Sequence, residues 1–249
     1  MRSDFIQKMR LDQALVKLGI VETRTKSSDL IKAGFVRVND SLILKPAQII
    51  DLTDNIVIDQ KSLPWVSRGA EKLNFALEKF RVNPANKVIF DLGASTGGFT
   101  EVLLKYGAKK VYSIDVGRDQ LHEKLRSDKR VCNMPSLDVR EVINLSLPNP
   151  EWIVADLSFI SLVKALPLVM RQAISGAIMI CLIKPQFELS KKEVGKNGIV
   201  KSETLRSGAV SKVSKFVIRE NWKILDTAPS PILGRQGNNE ILLLAEKNV

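Results

Sequence analysis

The stretch Val88-Ile89-Phe90-Asp91-Leu92-Gly93-Ala94-Ser95-Thr96-Gly97-Gly98-Phe99-Thr100 leaves this chain few folds to choose from. Val88 to Phe90 are the β-branched and aromatic types that suit a strand covered on both faces, with an acidic residue just after them. A glycine-rich turn follows, and Gly93, Gly97 and Gly98 let backbone pass close to a ligand where a Cβ would clash. The helix expected over Phe99 to Tyr106 then points its N-terminus into the crevice beyond the strand ends, where open α/β sheets bind ligands.

Further strands continue the pattern. Lys110 to Asp115, Arg130 to Asn133, Glu151 to Asp156 and Ala177 to Ile183 read as strands two to five, and the last of these, the most apolar, is expected at the centre. Trp222 to Leu225 and Glu240 to Leu244 finish the sheet. A helix is predicted over Gly69 to Phe80, with Leu73, Ala76, Leu77 and Phe80 on one face and Lys72 beside it. Strands alternating with helices predict a doubly wound α/β domain. The longest apolar run, Ala177 to Ile183, falls far short of the ~20 residues of a membrane helix, and Met1 to Met9 lacks a signal-peptide core, so a soluble protein is expected. Cys132 and Cys181 are too few for a disulfide framework and are expected as reduced core residues in the cytoplasm. His122 is the only histidine and is expected at the surface, and no Cys/His cluster has metal spacing.

The loop after the first strand has neither the Gly-Lys-Ser/Thr of a phosphate cradle nor the Gly-x-Gly-x-x-Gly of a dinucleotide fold. Its Asp-x-Gly-x-x-x-Gly-Gly resembles the first motif of S-adenosylmethionine (AdoMet)-dependent methyltransferases. The resemblance puts cofactor binding on Asp91, Gly93, Ala94, Ser95, Thr96, Gly97, Gly98 and Phe99. Asp115 stands 24 residues beyond Asp91, near the spacing at which an acidic residue takes ribose hydroxyls.

Ahead of this domain, residues 8–50 have a pattern of their own. Leu11, Ala14, Leu15 and Leu18 recur at helical spacing up to Gly19. Ser27 and Ser28 are expected to cap a second helix carrying Leu30 and Ile31 and ending at Gly34, and Val36 to Asp40 turn into Ser41 to Leu44 as a hairpin. Lys8 to Arg37 hold seven Lys/Arg against three Asp/Glu, and the whole chain of 249 residues carries +11. That balance favours a polyanionic partner, nucleic acid or an acidic membrane surface. Arg10-Leu11-Asp12, Thr23-Arg24, Ile31-Lys32-Ala33-Gly34-Phe35-Val36, Val38-Asn39 and Lys45-Pro46 resemble the S4 RNA-binding domain. Arg10, Arg24, Lys26, Lys32 and Arg37, with Arg68 in the junction Pro64-Trp65-Val66-Ser67-Arg68-Gly69, are the expected RNA-binding residues.

Four charged residues are expected on the edge where the glycine loop lies. Asp156 follows strand four, Lys184 follows strand five, Glu240 opens the last strand if that strand runs antiparallel, and Lys72 enters from the helix before strand one. Two ammonium groups held by two carboxylates beside a sulfonium suit methyl transfer to a weakly acidic hydroxyl. Lys184 would orient that oxygen or accept its proton; an ordinary lysine, with pKa ~10.4, is no base at neutral pH unless desolvation or a neighbouring cation lowers it, and the sequence leaves both roles open.

With Val66-Ser67-Arg68-Gly69-Ala70-Glu71-Lys72-Leu73, Asp115-Val116-Gly117, Ala155-Asp156-Leu157-Ser158-Phe159-Ile160-Ser161-Leu162, Lys184-Pro185-Gln186-Phe187-Glu188 and Gly237-Asn238-Asn239-Glu240, the chain resembles the TlyA family over nearly its whole length. The resemblance implies an α/β fold, a class I (Rossmann-like) AdoMet-dependent methyltransferase sheet with a small N-terminal α+β S4 domain. It further implies 2′-O-methylation of cytidine in ribosomal RNA, with Lys72, Asp156, Lys184 and Glu240 as the catalytic tetrad. The expected division is an S4 domain over 1–62, a linker over 63–68 and an FtsJ-like methyltransferase over 69–249. Two positions depart from the family pattern: Asp138-Val139-Arg140 replaces Asn-x-Arg, with Asp138 still able to accept from the adenine amino group, and Leu63 stands where the linker often has Arg. Lys191 to Arg219, with eight Lys/Arg against two acids, is expected to track RNA phosphates in part, with Phe187 and Gly195 to Gly198 as a mobile lip. The competing readings are a haemolysin-like membrane-active protein, which needs a membrane-inserting segment, and an AdoMet-binding ribosome-assembly factor without catalysis, which has no need of Lys184.

Overall fold

A computed structural model describes residues 7–32, 35–58, 65–195, 198–234 and 237–249. The chain divides into two compact units, Met1–Ser67 and Arg68–Val249.

In the first unit, strand β1 (Lys8–Arg10) leads into helices α1 (Leu11–Lys17) and α2 (Arg24–Lys32), which pack against each other. Strands β2 (Val36–Val38), β3 (Ser41–Leu42), β4 (Ile49–Asp51) and β5 (Ile56–Ile58) follow. The strands form a three-stranded sheet in the order β3-β2-β5 and an antiparallel pair of β1 with β4. Leu11, Leu15, Ile31, Val36 and Val38 form the core. Two expectations fail here. Helix α2 begins at Arg24, a turn before Ser27 and Ser28, and Ser27 is buried inside it. Leu18, at the C-cap of α1, is 44% exposed because the helix stops before its next turn can cover it. The helix end expected at Gly34 lies outside the described residues.

The second unit opens with α3 (Gly69–Phe80) and carries a seven-stranded sheet. Its strands are β6 (Val88–Leu92), β7 (Lys110–Asp115), β8 (Val131–Pro135), β9 (Trp152–Ala155), β10 (Ile178–Ile183), β11 (Trp222–Pro229) and β12 (Ile241–Lys247). Their order is β11-β12-β10-β9-β6-β7-β8. β6 to β10 are parallel, whereas β12 runs antiparallel between β10 and β11. The antiparallel insertion brings the start of β12 to the edge where the parallel strands end: Ile183, last in β10, pairs with Ile241, first in β12. The apolar β10 is interior, between β12 and β9, while β9 holds the middle of the sheet.

Helix α4 (Gly98–Lys105) packs with α3 and β7; α5 (Glu123–Arg126) packs on β8. The short α6 (Leu162–Ala165), α7 (Pro167–Gln172) and α8 (Pro185–Glu188) and the long α9 (Glu203–Arg219) complete the unit. Phe90, Ile153, Cys181 and Leu243 from the sheet bury against Leu166 between α6 and α7, Met170 of α7, and Val213 and Phe216 of α9. Cys181 belongs to this core, but Cys132 is only half-buried, because β8 is an edge strand with no neighbour on one side. Among the described residues, no helix is long and apolar enough to cross a membrane and no His/Cys/Asp/Glu group could hold a metal ion.

Candidate active site

The glycine loop joins β6 to α4. Gly93 and Gly97 have φ of 83° and 96°, in the region other residues rarely occupy. A Cβ on Gly93 would stand 2.8 Å from the Asp156 carbonyl oxygen, and one on Gly97 would drive into Leu121 and Leu125. The turn is pinned to the neighbouring strand: Gly93 and Ala94 donate their backbone N–H to the Ile114 carbonyl at 2.9 and 3.1 Å. Ser95 N donates to Asp115 Oδ2 at 2.8 Å, and Gly117 N donates to Asp115 Oδ1 at 2.7 Å. Asp115 therefore shapes the loop with both oxygens, and each oxygen has a lone pair left for a ligand. Thr96 accepts from His122 N through its carbonyl at 3.2 Å; Gly98 opens α4, and Phe99 within it is buried.

Asp91 lies beneath this loop and is fully buried. Its Oδ2 accepts from Thr100 Oγ1 at 2.6 Å, and Thr100 in turn meets Ser113 Oγ at 2.8 Å. Its Oδ1 is buried without a partner. Burial pushes this carboxyl up to about 7, with the nearby charges of Asp156 and Asp115 adding to the shift and the Thr100 hydrogen bond opposing it. An orphaned carboxylate oxygen under a glycine cradle is an uncompleted cation or donor site. Asp138 caps the turn after β8 and is occupied by its neighbour: Arg140 N and Nε donate to Oδ1, both at 2.9 Å, and Nη2 donates to Oδ2 at 2.6 Å. The Arg140 guanidinium holds its pKa below the ordinary carboxylate value.

Four residues separated by up to 168 positions meet on the carboxyl edge of the sheet. Lys72 Nζ donates to Glu240 Oε2 at 2.7 Å and lies 3.8 Å from Asp156 Oδ2. Lys184 Nζ lies 2.7 Å from Asp156 Oδ1 and aims a hydrogen bond of 2.8 Å at Ser158 Oγ. Lys72, Lys184 and Glu240 are 7%, 8% and 3% exposed. For Asp156, burial pushes the pKa up, but the ammonium groups of Lys184 and Lys72 outweigh it and leave the carboxyl below its ordinary value. Such an array is a poor way to stabilise a fold, since desolvation offsets most of the attraction between buried charges. Four charged side chains, three of them almost fully buried, gathered at one edge of a sheet mark a candidate functional site instead.

The loop before Glu240 is fitted tightly around it. A Cβ on Gly234 would run into Glu240 Oε1 and stand 2.8 Å from Cδ. Arg68 Nη2 donates to the Leu233 carbonyl at 3.1 Å. Asn238, 1% exposed, accepts from Val200 N at 2.8 Å and donates to the Gly198 carbonyl at 2.7 Å. The segment expected as a mobile lip is thus tied at Gly198 to the loop carrying Glu240; its residues 196–197 lie outside the described residues. Beyond Glu240, a cavity of about 530 Å³ opens between α9 and the β11–β12 pair, lined by Arg206, Ser211, Thr227 and Ser230 among others.

Sequence reasoning passed over Phe159. It is 88% exposed with φ of 66°, and its ring meets that of Phe187 at 5.4 Å between centroids. A non-glycine residue held in the left-handed region beside an ion cluster is a strained feature of the kind found at ligand sites. Nothing in its local pattern signals this, because the exposure follows from the backbone turn and not from residue type.

In the first unit, Arg10 donates from Nε and Nη2 to Asp12, both at 3.0 Å, and Arg24 Nε donates to Asp12 Oδ2 at 2.9 Å. Their guanidinium groups hold the Asp12 carboxyl below its ordinary value, Arg10 contributing most. Arg37 stands exposed on β2, its Nη1 donating to the Asp40 carbonyl at 2.9 Å. Lys26 and Lys32 fall in α2, but their side chains lie outside the described residues.

Comparison with known proteins bears on the whole chain. The model of the FtsJ-like methyltransferase family matches residues 65–247 and that of the S4 domain residues 9–56. Hemolysin A of Brachyspira hyodysenteriae is 41% identical over 94% of this chain and 98% of its own. The 16S/23S rRNA (cytidine-2'-O)-methyltransferase TlyA of Mycobacterium tuberculosis is 39% identical over 95% of this chain and 89% of its own. A solved hemolysin-like structure from Streptococcus thermophilus superposes with a TM-score of 0.77 at 36% identity, covering 98% of this chain and 90% of the other. With an S4 domain ahead of an FtsJ-like, AdoMet-dependent methyltransferase sheet, this chain belongs to the TlyA family.

Proposed function

We propose that this protein transfers a methyl group from AdoMet to the ribose 2′-hydroxyl of a cytidine in ribosomal RNA. The observation that carries the reading is the buried relay from Glu240 through Lys72 and Asp156 to Lys184, which ends at Ser158 on the edge beside the glycine loop.

AdoMet supplies a methyl group on a positively charged sulfur, so the protein has only to deliver a nucleophile in line with it. Asp91 Oδ1, the sole unpartnered oxygen of that carboxylate, suits the amino group of the cofactor; Asp115 suits the ribose hydroxyls, and Asp138 Oδ2, which takes one donor from Arg140 and keeps a lone pair, suits the adenine amino group. Lys184 is the residue that meets the substrate. With Asp156 and Ser158 taking two of its directions, its remaining N–H is left for the 2′-oxygen, which it orients and whose developing negative charge it offsets as the proton leaves to solvent. In this reading Lys184 acts as a hydrogen-bond donor, held in place by Asp156 and Ser158. Lys72 and Glu240 fix Asp156 and balance the charge of the group. Phe159, projecting beside Ser158, offers an aromatic face on which the target base can stack.

Residues 1–62 serve as the RNA-binding S4 domain, 63–68 as linker and 69–249 as the catalytic domain. Arg24 and Arg37, with Arg10, Lys26, Lys32 and Arg68, meet phosphates; Arg24 spends only its Nε on Asp12. On this reading the protein works in the cytoplasm. Labelled AdoMet incubated with separate ribosomal subunits that lack the modification tests the proposal. Wild type should label one or both, and Lys184→Ala should slow transfer by ~100-fold or more. No transfer by wild type to either subunit refutes the enzymatic reading, and full transfer by Lys184→Ala refutes the role given to that lysine.

A further inference from the structure

Two short segments run side by side beyond β9 and β10, residues 156–162 and 184–188, and contacts cross between them in order. Lys184 meets Asp156 and Ser158. Phe187 meets Phe159. Glu188, the last residue of α8, reaches the far end: its Oε2 accepts from Ser161 Oγ at 2.5 Å and its Oε1 from Leu162 N at 2.7 Å. Ser161 is the N-cap of α6, yet its hydroxyl makes no cap hydrogen bond of its own. The acceptor that the helix start needs is supplied by the carboxylate of the other segment. Glu188 is 4% exposed, and Lys212 of α9 both donates to its backbone carbonyl and stands 3.6 Å from Oε2.

We infer that Glu188 is a positioning residue for Lys184, a clasp that closes the two segments at the end opposite the Asp156–Lys184 pair. The inference rests on the methyltransferase reading for its consequence, although the clasp itself is a matter of geometry. A four-residue helix such as α8 cannot hold its own shape, since forming one turn costs more backbone entropy than its few hydrogen bonds return. The Phe187–Phe159 contact is exposed on one side and is a weak constraint. The two hydrogen bonds of Glu188 are charge-assisted and buried, and these are the strong ones. With one end fixed by the strands and the other by Glu188, the Lys184 stem leaves a backbone that has little freedom. Lys212 places an opposite charge 3.6 Å from the buried carboxylate.

The test compares Glu188→Ala with Glu188→Gln in the full-length protein. A glutamine of the same length still accepts from Leu162 N and donates to the Ser161 hydroxyl, so it retains the clasp without the charge. The first measurement is trace acetylation of lysines in the substrate-free protein, read by mass spectrometry. Lys184 should react several-fold faster in Glu188→Ala and close to the wild-type rate in Glu188→Gln, with the surface residue Lys79 unchanged in both. The second is single-turnover methyl transfer, expected to slow by ~10- to 100-fold in Glu188→Ala at unchanged RNA affinity, as for a reacting group displaced by about an ångström, and to recover in Glu188→Gln. Unchanged Lys184 reactivity in folded Glu188→Ala overturns the inference, as does equal loss of transfer in both variants with Lys184 reactivity at the wild-type level. Should Glu188→Ala fail to fold, Ser161→Ala removes one of the two bonds, and a Lys184 rate equal to wild type there also overturns it. Absence of transfer by the wild type strikes the functional reading alone, because acetylation still reports the clasp.

Discussion

With Asp91 assigned to the amino group of AdoMet as proposed, its buried carboxyl should make AdoMet binding depend on pH in a way that one substitution abolishes. Its pKa stands at about 7 against an ordinary 3.8. A shift of that size amounts to ~4 kcal/mol between the two protonation states, at ~1.36 kcal/mol per unit. Because the folded value lies above the unfolded one, the stability this group confers is complete below pH ~4 and is lost as pH rises through ~7. An ammonium partner at Oδ1 reverses the preference, since it binds the ionised form. Below pH 7 the ionised fraction falls tenfold per unit, so AdoMet affinity measured calorimetrically should weaken roughly 25-fold between pH 7.5 and 5.5. It should weaken again above ~8, where an α-amino group loses its own proton. Asp91→Asn keeps an acceptor for Thr100 and removes the charge. It should bind AdoMet at least tenfold more weakly at pH 7.5 with the acid limb of the profile flattened. Without ligand, the same variant should melt several degrees higher than wild type at pH 8, as relief of a few kcal/mol implies for a domain of this size. A wild-type affinity flat from pH 5.5 to 7.5, or an Asp91→Asn variant that keeps the acid limb, refutes the assignment of Asp91 to the ammonium.

Three other perturbations separate the parts of the site. Gly234→Ala forces the Glu240 carboxylate back by about an ångström and away from Lys72, so single-turnover transfer should fall ~10- to 100-fold with AdoMet affinity unchanged, and Glu240→Asp in the same chain should recover part of the rate. Gly97→Ala drives a Cβ into Leu121 and Leu125 at a φ of 96°, so it should weaken AdoMet binding and lower the melting temperature, both read by thermal shift with and without ligand. Phe159→Ala removes an exposed ring, so stability should be unaffected while the KM for RNA rises by roughly 5- to 100-fold, which steady-state methylation reads directly.

The loop and the sheet were legible because local chemistry determines them. Strand residues covered on both faces, glycines where φ is positive, and acids at strand ends declare themselves in about a dozen consecutive residues, as Val88 to Thr100 do. The approach of Lys72, Asp156, Lys184 and Glu240 was legible only with the direction of the last strand assumed, because an antiparallel β12 is what moves residue 240 to the right edge. Arg10 and Arg24 show the opposite case. Counted as charges, they are two free cations, but Arg10 folds onto Asp12 two residues on and the packing of α1 against α2 brings Arg24 to the same carboxylate, which no periodicity records. Phe159, Gly234 and Asn238 sit in irregular turns, where contacts depend on segments far away in sequence and hydrophobic patterning is silent.

The place of β12 carries a consequence for the life of the protein. The strand slots between β10 and β11, both made before it, so the sheet keeps an open seam until residues 241–247 have emerged from the ribosome. Glu240, the partner of a lysine 168 residues earlier, arrives immediately ahead of those seven residues. The half of the sheet formed by β6, β7 and β8, with its glycine loop, needs nothing from that seam. A nascent chain can therefore shape its glycine loop while Lys72 is still without its closest carboxylate. The four-residue charged cluster is therefore complete only once Glu240 and β12 have joined the sheet.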